Sequence, residues 1–452
     1  MSKTSRRTFL GTAAAASCAV SLGNVSGCGN PAQEKPAEKK IRNHPLDGIE
    51  RENIKITDIK VTPLSYKDPN ENLWCIHEGV IWKTDAALCQ VFTDQGIVGI
   101  GEGSPYGAPD KIKKYTEEII KPLLIGENPF DVEFLTCGGV SGGGEDNVGY
   151  HGASVSICAW AGVDVALWDI IGKAKNMPVY KLLATDNEPD THIPVYASGG
   201  VVHAWYDKGD ETLINEALRS KEQGYPGYKF RIGTTWKFSN MTVDKYIPIM
   251  RRLREAVGPD FKLMHESPVS EMSPEQIINE FAPVLEELKF YWFEGPISGI
   301  ENTLKVKEKA PSVMISNGEG SRNRFEVKEW IDRDAWDIVQ TDCNVTGLTE
   351  NWHIARIAHL AGKIHCPHNW HGGLTTMSNA HFVAGIPNRH MLELNITFNP
   401  LKEEVFKEPL VVVDGYMDLP DKPGYGVELA PDLEKKFPYA PGYYRKPNPR
   451  ML

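Results

Sequence analysis

The chain has 452 residues, 49 Lys and Arg against 60 Asp and Glu for a formal net charge of -11, and is 41% hydrophobic and 24% charged. This is ordinary globular composition, which argues against wholesale disorder, a collagen-like repeat and a basic nucleic-acid binder, so no nucleic-acid partner is expected. At roughly 100–200 residues per domain the length suggests two or three domains, or one barrel with an accessory domain. Beyond the first thirty residues no apolar run reaches the roughly 18 needed to span a bilayer.

Residues 1–28 differ from everything after them. Ser5-Arg6-Arg7-Thr8-Phe9-Leu10 is a twin-arginine pattern, followed by an Ala-rich run to Leu22, with no acidic residue before Glu34. Such a segment is an address read by a translocation machine and stands outside the fold. Val25-Ser26-Gly27-Cys28 then resembles a bacterial lipobox, which would place lipid on Cys28 as the mature N-terminus and make residues 29–52, with Pro31 and Pro36, a tether. An exported protein is therefore expected, periplasmic or a membrane-anchored lipoprotein. The cysteines that would remain, at 75, 89, 137, 158, 343 and 366, show no compact disulfide spacing.

From Ile54 the pattern predicts a strand to Leu64, then a hairpin of Ala87–Phe92 and Ile97–Gly101 around the turn signal Thr93-Asp94-Gln95-Gly96. Helical patterns follow at Lys111–Leu124 and Val155–Lys173. Residues 53–190 thus form a small α+β unit.

From Ile193 short apolar strands alternate with helical stretches. The predicted strands are Ile193–Ala197, Tyr228–Ile232, Phe261–Glu266, Phe290–Glu294, Val313–Asn317, Asp337–Thr341, Lys363–Pro367 and His390–Asn395. Their starts lie 23 to 35 residues apart, room for a strand, a helix and two loops each time. Eight such units favour a (β/α) barrel over an open doubly wound sheet. No helix follows the eighth strand, so residues 191–400 are the barrel and 401–452, rich in Pro and Gly, return to the first unit.

Glu266, Glu294 and Glu319 fall at or just past the C-terminal ends of three consecutive strands. Those ends share one rim of a barrel, where active sites are built, so three carboxylates would converge on one cation. Oxygen-only ligation favours a hard ion such as Mg²⁺. The same rim offers Lys229 and Arg231 from the second strand, and Asp342 and His368 after the sixth and seventh. An Asp bonded to imidazole fixes its tautomer and raises its basicity, as a general base needs. Glu393 on the last strand, if kept protonated, could donate to an oxyanion.

The chain resembles the mandelate racemase subgroup of the enolase superfamily across residues 53–430. The motifs carrying the likeness are Ala161-Gly162-Val163-Asp164-Val165-Ala166-Leu167-Trp168-Asp169 with Gly172-Lys173, Lys229-Phe230-Arg231, Met264-His265-Glu266, Tyr291-Trp292-Phe293-Glu294-Gly295-Pro296, Asn317-Gly318-Glu319, Gln340-Thr341-Asp342 with Gly347-Leu348-Thr349-Glu350, Pro367-His368, and Pro423-Gly424-Tyr425-Gly426. The resemblance implies a modified TIM barrel, (β/α)7β, closed by an α+β cap, and metal-assisted removal of a proton α to a carboxylate. It implies Glu266, Glu294 and Glu319 as Mg²⁺ ligands, His368 with Asp342 as the dyad, Lys229 and Arg231 as the basic pair, and Glu393 as donor to the enolate.

Two departures stand out. The first ligand in relatives is commonly Asp and here is Glu266. The second basic residue is often a Lys acting as base and here is Arg231, which is not deprotonated at working pH and suits a carboxylate clamp instead. With His368 as the best single base, dehydration of an acid sugar to a 2-keto-3-deoxy product is the leading expectation, since one histidine can serve as base and then acid. Racemisation or epimerisation of a 2-hydroxy acid is second, with Lys229 as the other-face base. A non-catalytic acid-sugar-binding lipoprotein is third. Cycloisomerases and dipeptide epimerases of related subgroups resemble the chain less, because they place a lysine at the end of the sixth strand, where this chain has Asp342. The expected partners are a small carboxylate substrate, the membrane through Cys28, and further copies of the chain in a homo-oligomer.

Other residues receive other readings. His365, His368, His371 and His381 invite a zinc site, weighed below the carboxylate trio, and His371 is the second candidate for the catalytic imidazole. His265 should point to the opposite side of its strand from Glu266. Gly99-Ile100-Gly101-Glu102-Gly103 lacks the following helix of a dinucleotide fingerprint, and Gly138–Gly144 reads as a mobile loop. Trp74, His77 and Trp82 lie either in a specificity loop or in aromatic packing between cap and barrel.

Overall fold

The computed structural model describes residues 42–67, 74–76, 79–103, 108–137, 154–200, 209–231, 241–266 and 272–447. The proposed signal, Cys28, His77, Gly138–Gly144 and Ile232 lie outside them.

The cap begins with an antiparallel sheet of β1 (Ile56–Lys67), β4 (Lys83–Thr93) and β5 (Val98–Glu102), in the order β1-β4-β5. The β4–β5 turn closes through Gly96 at φ +75°, a left-handed conformation that glycine adopts without penalty. Two short strands, β2 (Trp74–Ile76) and β3 (Gly79–Ile81), form a separate hairpin. The predicted helix Lys111–Leu124 is present in three pieces, Pro109–Tyr115, Thr116–Ile120 and Lys121–Leu124, with a π turn in the middle. Helix α1 (Val155–Ala174) starts where Ser154 caps the backbone N–H of Ile157. By length and composition α1 could cross a membrane, but almost all of it is buried within the fold. Its all-round apolarity suits a helix packed between layers.

Eight strands follow: β6 (His192–Ser198), β7 (Gly227–Phe230), β8 (Lys262–Glu266), β9 (Trp292–Glu294), β10 (Met314–Asn317), β11 (Ile338–Val339), β12 (Ile364–His365) and β13 (Leu392–Asn395). Every predicted barrel strand is found, most of them shorter than expected. They pair in parallel from β6 through β12, and β13 pairs in parallel with β6. The remaining seam, between β12 and β13, is spanned by a bridge between His365 and Arg389. The first seven strands are each followed by helix; among the described residues after β13 the helical pieces are two single turns, Pro400–Glu403 and Leu433–Lys436. The barrel is therefore (β/α)7β, under an α+β cap.

The motif acids of α1 join the parts together. Asp164 accepts from the backbone N–H of Leu348 and Thr349 in α2 (Cys343–Leu360) and from Thr136 Oγ1. The neighbouring Gly347 has φ +78°, and a Cβ there would stand 2.9 Å from Asp164 Oδ2, so only glycine lets the helix kink over this carboxylate. Asp169 binds Ile100 N on one oxygen and Tyr425 N on the other, linking β5, α1 and the C-terminal segment.

The C-terminal return is seen, with one correction: it serves the barrel as well as the cap. Strand β14 (Tyr416–Asp418) pairs with β6 at the start of the barrel, whereas β15 (Arg445–Pro447) extends the β2–β3 hairpin. Lys83, fully buried, ties this tail down through Ala440 O at 2.6 Å and pairs with Asp85 at 2.8 Å.

Candidate active site

Parallel pairing sets Glu266 opposite Glu294 at the ends of β8 and β9. Glu319 follows β10 by two residues, past Gly318 at φ +124°, where a side chain would be strained. One carboxylate oxygen from each of the three lies within 4.8 Å of the others. Glu294 Oε2 accepts from Lys229 Nζ and from Gln340 Nε2, both at 2.8 Å, while its Oε1 is buried with no hydrogen-bond partner among the described residues. Burial is the main cause that pushes the Glu294 pKa up to about 7; Lys229 opposes it, and the neighbouring Glu266, Glu393 and Glu319 reinforce it. An unpartnered buried oxygen beside two more carboxylates fits a hard divalent cation.

Lys229 is fully buried, with Nζ 2.8 Å from Glu294 Oε2, 2.8 Å from Glu393 Oε1 and 3.4 Å from Glu266 Oε2. Burial pulls its pKa down, but the three carboxylates outweigh burial and the net shift is upward. Its ammonium is thus an electrostatic partner of all three carboxylates.

The surroundings of Glu393 differ from those of a neutral donor. Burial favours the neutral acid, but Lys229 and His368 act against it and lower its pKa. The cause is cross-strand: β7 and β13 flank β6, so Lys229 meets Glu393 across the barrel interior, which periodicity along either strand does not reveal.

Arg231 lies one residue beyond β7. Its Nη2 is 2.5 Å from Glu266 Oε2, and its guanidinium sits 4.8 Å over the Trp370 ring. Stacking and ion pairing together fix the plane of the group, as a carboxylate clamp requires.

His368 Nδ1 lies 2.9 Å from Asp342 Oδ2; because an ionised carboxylate only accepts, Nδ1 donates and the dyad is formed. Its Nε2 faces the carboxylate trio, 3.5 Å from Glu319 Oε2. Burial lowers the His368 pKa, but Glu319 and the bond to Asp342 outweigh it and hold it up at about 10. Asp342 is fully buried at the N-cap of α2, with Oδ1 accepting from Asn344 N at 2.8 Å and Asn379 Nδ2 at 3.1 Å. Its Oδ2 also lies 3.2 Å from His371 Nε2. Burial would raise its pKa; the bonds to His368 and His371 hold it well below the usual carboxylate range.

All eight residues expected at the rim are thus together. The four histidines do not form one cluster: His365 bonds Thr341 within the barrel and His381 bonds Tyr180 N and Tyr425 O, so only His368 and His371 come together, around Asp342. His265 points away as expected, to Tyr246 Oη at 2.7 Å. Trp82 donates to Tyr443 O, so at that position packing is the observed role. Gln340 was missed; its place two residues before Asp342, on the same strand face, was the available signal.

Residues 75–184 match the mandelate racemase / muconate lactonizing enzyme N-terminal domain, and residues 212–433 the enolase C-terminal domain-like family. Arabinonate dehydratase of Saccharolobus solfataricus is 29% identical over 388 residues, covering 84% of this chain and 99% of that enzyme. D-galactarolactone cycloisomerase of Agrobacterium fabrum is 27% identical, covering 77% of this chain and 90% of that enzyme. A solved enolase-superfamily member from Polaromonas sp. JS666 is 30% identical with a TM-score of 0.74, covering 86% of this chain and 99% of that one. The motifs, the (β/α)7β barrel with its cap, and these likenesses together place the chain in the enolase superfamily, within the mandelate racemase subgroup.

Proposed function

We propose that this enzyme removes the proton α to the carboxylate of an acid sugar and dehydrates it to a 2-keto-3-deoxy acid. One observation carries the choice: among the described residues a single imidazole, His368 on Asp342, faces the carboxylate trio, while Lys229 and Arg231 are both engaged with carboxylates. Glu266, Glu294 and Glu319 would hold Mg²⁺, which supplies Lewis-acid stabilisation of the charge developing on the substrate carboxylate. Arg231 orients that carboxylate, and Lys229 adds positive charge and an N–H donor beneath it.

His368 Nε2 takes the proton from Cα; the same imidazolium then protonates the β-hydroxyl, which leaves as water, and the enol product tautomerises to the ketone. A cation at Glu319 would offset the strongest influence raising the His368 pKa, bringing the imidazole toward the neutral form a base needs. The curated relatives named here are both named for enzymatic activities, so a retired binding scaffold finds no support.

The test is incubation with millimolar Mg²⁺ and a panel of five- and six-carbon aldonates and aldarates, read by 2-keto acid formation. Absence of keto acid from every member would overturn the reading. In D₂O a racemase would instead return deuterated, inverted substrate with no water lost. Cycloisomerisation uses the same proton removal with an internal oxygen as leaving group, so a lactone or anhydro acid belongs in the panel.

The twin-arginine pattern and Cys28 support export and lipid attachment. Replacing Arg6 and Arg7 together by Lys should retain the protein in the cytoplasm, and Cys28→Ala should release it from the membrane fraction.

A further inference from the structure

The glycine-spaced segment of β5 takes no part in the chemistry above, yet it sets one carboxyl deep in the molecule. A Cβ at Gly99, Gly101 or Gly103 would stand 2.0, 2.3 or 2.4 Å from the carbonyl oxygens of Ala166, Gly162 and Cys158, one row along α1. Alternate residues of the strand therefore lie flat on that helix, and the residue between them, Glu102, is turned to the other face. It is 2% exposed. Its Oε2 accepts from Thr375 N at 3.2 Å and Thr375 Oγ1 at 2.9 Å. Thr375 opens α3 (Gly373–Gly385), the helix that follows the loop bearing His368 and His371. Glu102 Oε1 is buried with no hydrogen-bond partner among the described residues, and the charges of His371 and Asp342 both act on the carboxyl.

Asp342 Oδ2 accepts from His368 Nδ1 and lies 3.2 Å from His371 Nε2, and the two rings stand 84° apart with centroids at 5.8 Å. With Asn344 N and Asn379 Nδ2 on Oδ1, the carboxylate is held on its other oxygen as well. A second imidazole packed against Oδ2 restricts where that oxygen can present itself to the first, and so fixes the ring plane of His368.

We propose that His371 is a positioning residue for the reaction, its ring standing across that of His368 against the shared Asp342 carboxylate, and that Glu102 of the cap anchors the loop carrying both imidazoles, so that the base is seated from across the cap–barrel boundary. This rests on the assignment of His368 as base. Displacing a catalytic group by about 1 Å can cost on the order of 100-fold in rate, so the effect belongs in kcat.

The test uses the full-length, Mg²⁺-loaded protein with the panel acid it turns over fastest. His371→Leu is expected to lose about 30–100-fold in kcat with KM within about threefold, and His371→Gln, which keeps an N–H donor, to recover most of it. Glu102→Leu should lower kcat in the same way, and the double variant should be no worse than about twice the weaker single one, because both act through one loop. A second arm needs no substrate: the downfield proton resonance of His368 Nδ1–H, identified by its loss in His368→Asn, should shift in His371→Leu and in Glu102→Leu. A folded His371→Leu with kcat within twofold of the unaltered enzyme, equal loss in the Leu and Gln variants, multiplying effects in the double variant, or an unmoved resonance would each overturn the proposal. If no panel acid is turned over, the function proposed above fails while the resonance still decides this one.

Discussion

Lys229 Nζ and Glu294 Oε2 meet at 2.8 Å in the mouth of the barrel, both residues buried. This lysine supplies counter-charge that lets Glu294, Glu266 and Glu393 be buried together. Lys229→Met should therefore lower the unfolding free energy by about 3–5 kcal/mol, the usual cost of leaving buried charge uncompensated. Urea denaturation without divalent cation measures it, and saturating Mg²⁺ should restore part of the loss. A variant as stable as the unaltered protein would contradict the role.

Glu294→Gln should weaken Mn²⁺ binding, followed by paramagnetic resonance titration, by at least about tenfold, because an amide supplies no charge to a hard cation. Turnover should fall with it. Unchanged metal affinity would remove Glu294 from the ligand set.

His368→Asn should leave metal affinity within about twofold but reduce exchange of the substrate α-proton by roughly 10²–10⁴, the contribution typical of a positioned base. Exchange at the normal rate would assign the base elsewhere.

Acid should destabilise the fold well before carboxylates are generally protonated. His265, His365 and His381 are fully buried, and burial lowers each pKa to about 3, against about 6.5 in an unfolded chain. Between those values the unfolded state binds more protons, so stability falls as pH drops from about 6.5 toward 3, by up to about 1.4 kcal/mol per pH unit for each histidine. Melting temperatures at pH 7, 6 and 5 with saturating Mg²⁺ test it, and a flat profile would be the contrary result.

Gly101→Ala should cost about 2–3 kcal/mol, since the added Cβ would meet a backbone carbonyl of α1 at 2.3 Å that has no room to give. Denaturant unfolding reads the loss. A neutral substitution would mean that β5 can lift off the helix freely.

Much of the barrel was legible because each strand announces itself locally. The eight apolar runs, from Ile193 to Asn395, carry their own boundaries in the residues that follow them, and parallel closure leaves their C-terminal ends on one rim whatever the loops do. Hence Glu266, Glu294, Glu319 and Asp342 were found by position alone. The helix at 109–124 was less legible, because a π turn does not disturb the apolar spacing. The second role of the C-terminal segment was also hidden, since the three residues Tyr416–Asp418 are too few to show a period.

What the sequence by itself determined is the order of the elements, the carboxylate trio at the rim and the His368–Asp342 pair, each set by residue type and by place along one strand. What only the tertiary structure decided is who answers whom: Lys229 with Glu393 across β6, two imidazoles on Asp342, and Glu102 reaching from the cap to Thr375, a separation of 273 residues. The physical reason is that a charge state depends on the field of neighbours in space and on the loss of water around them. Those neighbours come from segments whose distance along the chain says nothing about their distance in the fold.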